Sequence, residues 1–235
     1  MTIDTVKAYF AQTNGKKINL DNKKIVLPIS VGQPYHENES FGTTIDLLNQ
    51  HKLKQCDIIV ADTLQRHTIR LHEKCLSDQE AYEKSILLGE LWLKRNKKYI
   101  EQLTCSHNIF HWNNWLLSEE YTNRRSFIET LIDKNENFRQ IFTETATVFV
   151  NRYQKKTGEN ENLNFVFEAC LNYVKEECSV MSLWLSREYD YEVYPGKRIK
   201  AMILTHEHFI KSKAPDFLQW LRIQFKNLVE FPVTN

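Results

Sequence analysis

Two short apolar runs constrain most strongly what this chain can fold into. Residues 23–29 (KKIVLPI) and 57–61 (DIIVA) carry almost nothing but branched aliphatic side chains past their first positions. Each is too short for a buried helix, and neither alternates with polar residues, as a strand with one wet face does. Such runs suit central strands of a parallel sheet covered on both faces. The segments between and beyond them read as helical: 41–52, about 77–103, 122–155, 162–178 and 199–211. Ser77 followed by Glu80 has the form of a capping box at the start of the second. Residues 109–112 and 191–194 read as short strands, the latter stopped by Pro195-Gly196. Residues 3–12 read as a short helix, and Asp216 as the cap of a last helix reaching about residue 229. The expectation is an α/β fold, a Rossmann-like open parallel sheet with flanking helices. No repeat or Pro/Gly/Ser-rich linker interrupts it, so residues 1–235 are expected to form a single domain.

Composition removes several function classes. The formal net charge is +1, so attraction to nucleic acid has to come from local clustering. No apolar stretch reaches 18 residues, so no membrane span is expected, and the N-terminal residues lack the pattern of a signal peptide. Five cysteines, an odd number without CxxC, argue against a disulfide framework and a structural zinc, and fit a cytoplasmic protein. Neither GxGxxG nor GxxxxGK[ST] occurs, so the usual dinucleotide and nucleotide-phosphate loops are missing.

Three features carry possible chemistry. Ser30 stands at the carboxyl end of the first apolar run, where open parallel sheets bind ligands. Pro28-Ile29-Ser30-Val31-Gly32 approaches a GxSxG nucleophile elbow but has proline in the first position. Ser30 is thus either a nucleophile or the end of a strand. Tyr173 and Glu177, four apart, share a helix face with Val166 and Cys170. A carboxylate on that mostly apolar stripe suits an ammonium-binding pair; the alternative is a surface pair. Lys94, Lys97 and Lys98, with Arg95 beside them, make a positive patch fit for a phosphate backbone, or a solvated helix face. His206-Glu207-His208 is expected at the surface, and the five tryptophans in the core.

Taken together, these segments resemble the tRNA-dependent cyclodipeptide synthases. Ile29-Ser30-Val31-Gly32 through Tyr35 resembles the family's catalytic-serine loop. Residues 57–63 (DIIVADT) are similar to its second strand, and Ser77-Asp78-Gln79-Glu80-Ala81, leading into the basic helix, to its tRNA-binding helix. Leu171-Asn172-Tyr173-Val174 with Glu177 resembles its Asn-Tyr-Val-x-x-Glu segment, and Tyr194-Pro195 its active-site tyrosine. The likeness spans roughly residues 24–200. Many members carry Asn three residues after the serine; here Gln33 stands there, and the pattern resembles the branch called XYP.

The resemblance implies a fold similar to the catalytic domains of class I tyrosyl- and tryptophanyl-tRNA synthetases, without HIGH or KMSKS and so without ATP-driven adenylation. It implies a monomeric aminoacyltransferase needing no cofactor or metal, with two aminoacyl-tRNAs as substrates and a cyclic dipeptide as product. Ser30 would carry the acyl group. Tyr173 and Glu177 would hold its α-ammonium, Tyr194 would serve the reacting carbonyl, and Lys94, Arg95, Lys97 and Lys98 would bind tRNA. Val26, Pro28, Gln33, Ile59, Ala61 and Val180 would line the first substrate pocket. Glu192 shares a strand face with Tyr194; it either enters this pocket, favouring a basic or polar first amino acid such as His or Arg, or faces solvent. Two other functions stay open at this point: a serine esterase or acyltransferase using Ser30 with a histidine, and a non-catalytic tRNA-binding protein.

Overall fold

The computed structural model describes residues 6–11, 18–158, 162–186, 189–210 and 218–227. In chain order the elements are β1 (Lys7–Phe10), β2 (Lys24–Ile29), a 3-10 turn (Pro34–His36), α1 (Asn38–Leu48) and β3 (Gln55–Val60). A second 3-10 turn (Thr63–Gln65), α2 (Arg66–His72), α3 (Asp78–Ile100), β4 (Ser106–His111) and α4 (Asn113–Leu116) follow. The chain continues through α5 (Glu119–Lys134), α6 (Glu136–Thr157), α7 (Leu163–Leu183), a third 3-10 turn (Trp184–Ser186), β5 (Tyr191–Tyr194), α8 (Lys200–Ile210) and β6 (Gln219–Lys226).

The six strands form one sheet in the order β1-β6-β5-β2-β3-β4. From β6 to β4 every neighbouring pair is parallel; β1 closes one edge antiparallel to β6. The expected α/β class is thus the observed one. The two apolar runs became β2 and β3, adjacent and central, with five of six residues buried in each. One face of the sheet, with Ile25, Leu27, Ile29, Ile58 and Val60, packs on Phe41 and Ile45 of α1 and Trp92 of α3. The other, with Val26, Ile59 and Ala61, packs on Ile128, Phe142, Val174 and Met202 from α5 to α8.

Local chemistry accounts for several boundaries. The capping box at the head of α3 is complete: Glu80 N–H donates to Ser77 Oγ, and Glu80 Oε2 accepts from Ser77 N–H at 2.8 Å. The region expected as one helix over 122–155 breaks at Asn135, whose side chain accepts from the backbone N–H groups of Asn137 and Phe138 and so caps α6.

Two expectations fail. Residues 7–10 form an edge strand instead of a helix, paired in register with the last strand, Lys7 opposite Lys226. Residues 219–226 form that strand instead of the expected last helix, burying Leu221 and Ile223 on alternate positions. The proposed cap, Asp216, lies outside the described residues.

The feature that places the site is a break in the middle of the sheet. Lys24, Val26 and Pro28 turn their backbone polar groups toward β5, as shown by Asp190 N–H donating to Lys24 O. Pro28 has no N–H to give. The β2–β5 ladder accordingly stops at Val26 opposite Glu192, while β2–β3 runs on to Ile29 opposite Val60. Beyond that point β2 and β5 part. Sequence order also reverses direction here: the chain builds outward to β3 and β4 on one side, to β5 and β6 on the other. Such switch points are where open α/β sheets bind ligands.

Candidate active site

Ser30 follows β2 directly at this break. Val31 and Gly32 form a turn closed by Gln33 N–H on Ser30 O at 3.2 Å; Gly32 sits at φ +80°, which a side chain would strain. Ser30 Oγ lies 2.8 Å from Tyr194 Oη at the end of β5, and Tyr194 Oη lies 3.0 Å from Tyr35 Oη. A Cβ on Gly196 would come within 2.6 Å of the Tyr194 ring, so glycine there lets the tyrosine occupy its place. The result is a cluster of three hydroxyls drawn from both sides of the break.

The histidine of this loop has another task. Ser30 N–H donates to His36 Nδ1 at 2.9 Å, and His36 O accepts from Trp92 Nε1 at 2.7 Å. His36 is fully buried, and burial depresses its pKa to about 3. It stays neutral and steadies the loop through the backbone rather than the Ser30 hydroxyl.

Tyr173 and Glu177 complete the cluster. Each acts on the other's ionisation, and Glu177 acts electrostatically on Tyr35 and Tyr194. Glu177 is half-buried by area, but its carboxyl is packed among protein atoms; burial pushes its pKa up to about 7, against the opposing pull of the Tyr173 hydrogen bond. Burial likewise raises Tyr35, Tyr173 and Tyr194 above the ordinary tyrosine value. All three phenols keep their protons near neutrality and can act as donors.

Of the expected pocket residues, Val26, Ile59, Ala61 and Val180 belong to one buried cluster on the α5–α8 face of the sheet. Pro28 is buried on the same strand face, two residues beyond Val26. Gln33 is exposed, and its backbone is what contacts Ser30. Glu192 is fully buried beside Val26. Lys94, Arg95, Lys97 and Lys98 are all exposed on α3. That helix is stitched to the serine loop: Arg95 pairs with Glu37 at 3.0 Å, and Asn38 N–H donates to Asn96 Oδ1 at 3.0 Å.

Sequence reasoning passed over a second carboxylate. Glu176, next to Glu177, is 2% exposed and accepts from Arg66 through both oxygens, with Trp112 Nε1 on Oε1 at 3.0 Å and His67 Nε2 at 3.2 Å from Oε2. These hydrogen bonds and charges hold its carboxyl below the usual value even though burial works the other way. Asp62, at the end of β3, is also buried and bonds His111 Nδ1 at 2.6 Å, which raises the His111 pKa. The surface expected for His206-Glu207-His208 is corrected in part: His206 is 1% exposed, and burial lowers its pKa to about 3. Two open clefts of about 500 and 330 Å³ lie apart from Ser30, one bordered by Arg66, Arg70 and Phe165, the other by Lys24, Asp57 and Asn108 at the amino ends of the strands. Neither contains the convergent hydroxyls, and we place the candidate site by that chemistry.

Comparison with protein-family models finds no match, and comparison with curated proteins finds none. Solved structures do match. A CDPS (cyclodipeptide synthase) from Fluoribacter dumoffii is 36% identical, covering 94% of this chain and 98% of its own, with a TM-score of 0.86. A cyclodipeptide synthase from Candidatus Glomeribacter gigasporarum, solved bound to Phe-tRNAPhe, is 21% identical, covers 92% of each chain and has a TM-score of 0.73. A Mycobacterium tuberculosis protein, described as demonstrating that cyclodipeptide synthetases are related to type I tRNA synthetases, shares the fold at 11% identity and a TM-score of 0.62, covering 95% of each chain.

The raised carboxyls give a pH dependence. In the folded chain Glu177 and Glu192 hold protons up to about pH 7 and about pH 8, while in the unfolded chain glutamates release theirs near 4.3. The folded state therefore binds more protons through this window, and stability falls as pH rises. His36 and His206 work in the opposite sense, but their contribution is complete above about pH 6.5. Between pH 6.5 and 8.5 the urea midpoint is expected to drop, and Glu177→Gln and Glu192→Gln should each flatten the slope. A midpoint that climbs over this range would contradict the assignment.

Proposed function

The chain belongs to the cyclodipeptide synthase family, and from that premise we propose that residues 1–235 act as one catalytic domain joining two aminoacyl groups, delivered by aminoacyl-tRNAs, through an acyl-enzyme on Ser30. The observation that carries the reading is the convergence of Ser30, Tyr194 and Tyr35 within hydrogen-bond distance at the switch point, with Tyr173 and Glu177 beside them.

An aminoacyl ester arrives already activated, so serine can attack without further energy input. Ser30 Oγ bonds to the carbonyl carbon, the bond to the tRNA ribose oxygen breaks, and the serine proton passes to that leaving oxygen. The protonated hydroxyl of Tyr194, 2.8 Å from Ser30 Oγ, is placed to stabilise negative charge developing on the carbonyl oxygen. Glu177 and Tyr173 accept the α-ammonium. The cation itself draws the Glu177 carboxyl into its ionised form, since an opposite charge offsets the desolvation that raised its pKa.

In the second half, the α-ammonium gives a proton to the Glu177 carboxylate and the freed amine attacks the carbonyl carbon of the second aminoacyl-tRNA. The bond to that tRNA's ribose oxygen breaks, the oxygen takes the amine's surplus proton, and a dipeptidyl-enzyme results. The new terminal amine then attacks the Ser30 ester, closing the diketopiperazine and returning the proton to Ser30 Oγ. No histidine is required, consistent with His36 Nδ1 being taken up by the Ser30 backbone N–H.

The exposed cations of α3 sit on a helix tied to the serine loop by Arg95–Glu37, Asn96–Asn38 and Trp92–His36. This linkage supports α3 as the surface that takes the tRNA backbone while its aminoacyl end reaches Ser30.

With purified protein and a pool of aminoacyl-tRNAs, mass spectrometry is expected to find a cyclic dipeptide from the wild type, and Ser30→Ala should cut its formation at least about 10³-fold. Undiminished output from folded Ser30→Ala would overturn the reading. Replacing Lys94, Lys97 and Lys98 together with Ala should raise KM for aminoacyl-tRNA and leave kcat unchanged at saturation. The slope of log affinity against log salt should shrink by about 0.9 for each tRNA phosphate that the lysines no longer neutralise; an unchanged slope would place the tRNA elsewhere.

A further inference from the structure

Glu192 is an unsatisfied buried carboxyl on the site's side of the sheet. It is fully buried, and neither carboxylate oxygen has a hydrogen-bond partner among the described residues. Its counter-ion among the described residues, Arg198 Nη2, stands 3.7 Å from Oε2, beyond hydrogen-bond range. That guanidinium is engaged elsewhere: Nη2 reaches Leu218 O at 3.5 Å, and the group lies 5.0 Å from the centre of the Trp220 ring. A buried carboxyl left in this condition is costly, and proteins keep such groups where a ligand completes them.

Its position says which ligand atoms could do so. Glu192 pairs with Val26 at the last rung before β2 and β5 part, and Tyr194 follows two residues later on the same strand face. Two residues of strand span about 7 Å. Glu192 therefore lies about one long side chain below the end of β5, beside Val26 and on the sheet face that carries Ile59, Ala61 and Val180. It also feels the charge of Glu177. The nearby Glu177 carboxyl adds to the cost of ionising Glu192. An aminoacyl group with a neutral side chain supplies one cation, its α-ammonium, for Glu177. A basic residue supplies a second at the distance where Glu192 waits.

We infer that Glu192 selects the first amino acid, accepting a basic side chain, arginine, lysine or histidine, whose N–H donors fill its two empty carboxylate oxygens. This rests on the reading of Ser30 as the acyl-bearing residue. Burial, which pushes the Glu192 pKa up to about 8, keeps its carboxyl protonated at neutral pH. A cationic side chain then draws the proton off, whereas an aliphatic one leaves the carboxyl unpaired and an acidic one adds a third carboxyl.

The test compares wild type, Glu192→Leu and Glu192→Gln with the same pool of aminoacyl-tRNAs, reading product masses and thermal melting. The wild-type cyclic dipeptide is expected to contain a basic residue. Glu192→Leu should lower kcat/KM for the basic aminoacyl-tRNA more than about 10-fold relative to aliphatic ones, and Glu192→Gln, which keeps an acceptor but no charge, should fall between. Because it removes an unpaired buried carboxyl, Glu192→Leu should melt no lower than wild type. Products with no basic residue, or a Glu192→Leu spectrum identical to wild type, would overturn the inference while leaving Ser30 chemistry intact. A markedly lower melting point for Glu192→Leu would also overturn it, making Glu192 a structural partner of Arg198. No cyclic dipeptide from any variant or the wild type would overturn the underlying reading together with it.

Discussion

A proline one residue from the end of a central strand governs where this molecule can do chemistry. Pro28 withholds one N–H from the β2–β5 ladder, and pairing ends at Val26 and Glu192. The β2–β3 ladder on the other side is untouched, so the sheet stays whole while opening at a single seam. Proline is normally confined to sheet edges because an unpaired partner is costly. Here it lies at the topological switch point, where strands diverge in any case. Ser30 leaves one side of the seam and Tyr194 the other, and their hydroxyls meet across it.

The same seam explains the contrast between two adjacent glutamates on α7. Glu176 points toward α2 and β4 and is saturated: Arg66 grips both oxygens, with His67 and Trp112 adding to them. It is a fixed charge, and removing it would strand a largely buried guanidinium. Glu177, one residue on, turns toward the seam, where it acts on the ionisation of Tyr173, Tyr35 and Tyr194. A fully satisfied carboxylate holds structure; a crowded, under-partnered one is ready to take a cation. Glu192 is the extreme of the second kind.

Much of the frame was legible in the sequence because local rules sufficed. The two apolar runs specified β2 and β3, the Ser77/Glu80 pattern specified the head of α3, and Pro195-Gly196 marked the end of β5. What failed was long-range. Lys7–Phe10 and Gln219–Lys226 become strands by pairing with each other across more than 200 residues. The alternation of Leu221, Ile223 and Phe225 was nevertheless a readable sign of a strand, outweighed by an apparent helix cap at Asp216. Tyr173 and Glu177 were found because spacing on one helix brings them together. Glu176 was missed because its partners Arg66 and Trp112 stand 110 and 64 residues away. His206 was placed at the surface because the expected solvated helix face turns out to pack under α7, and Glu192 could be put on the face of Tyr194 but not known to be unpaired.

In the proposed mechanism the first aminoacyl group becomes covalently attached to Ser30 at this seam. The most direct measurement is intact-protein mass spectrometry after mixing the enzyme with one aminoacyl-tRNA and quenching with acid. The account predicts a mass gain of one aminoacyl residue, mapped to the peptide bearing Ser30 and absent from Ser30→Ala. Cyclic dipeptide formation without such an adduct, or an adduct mapped to another side chain, would contradict it.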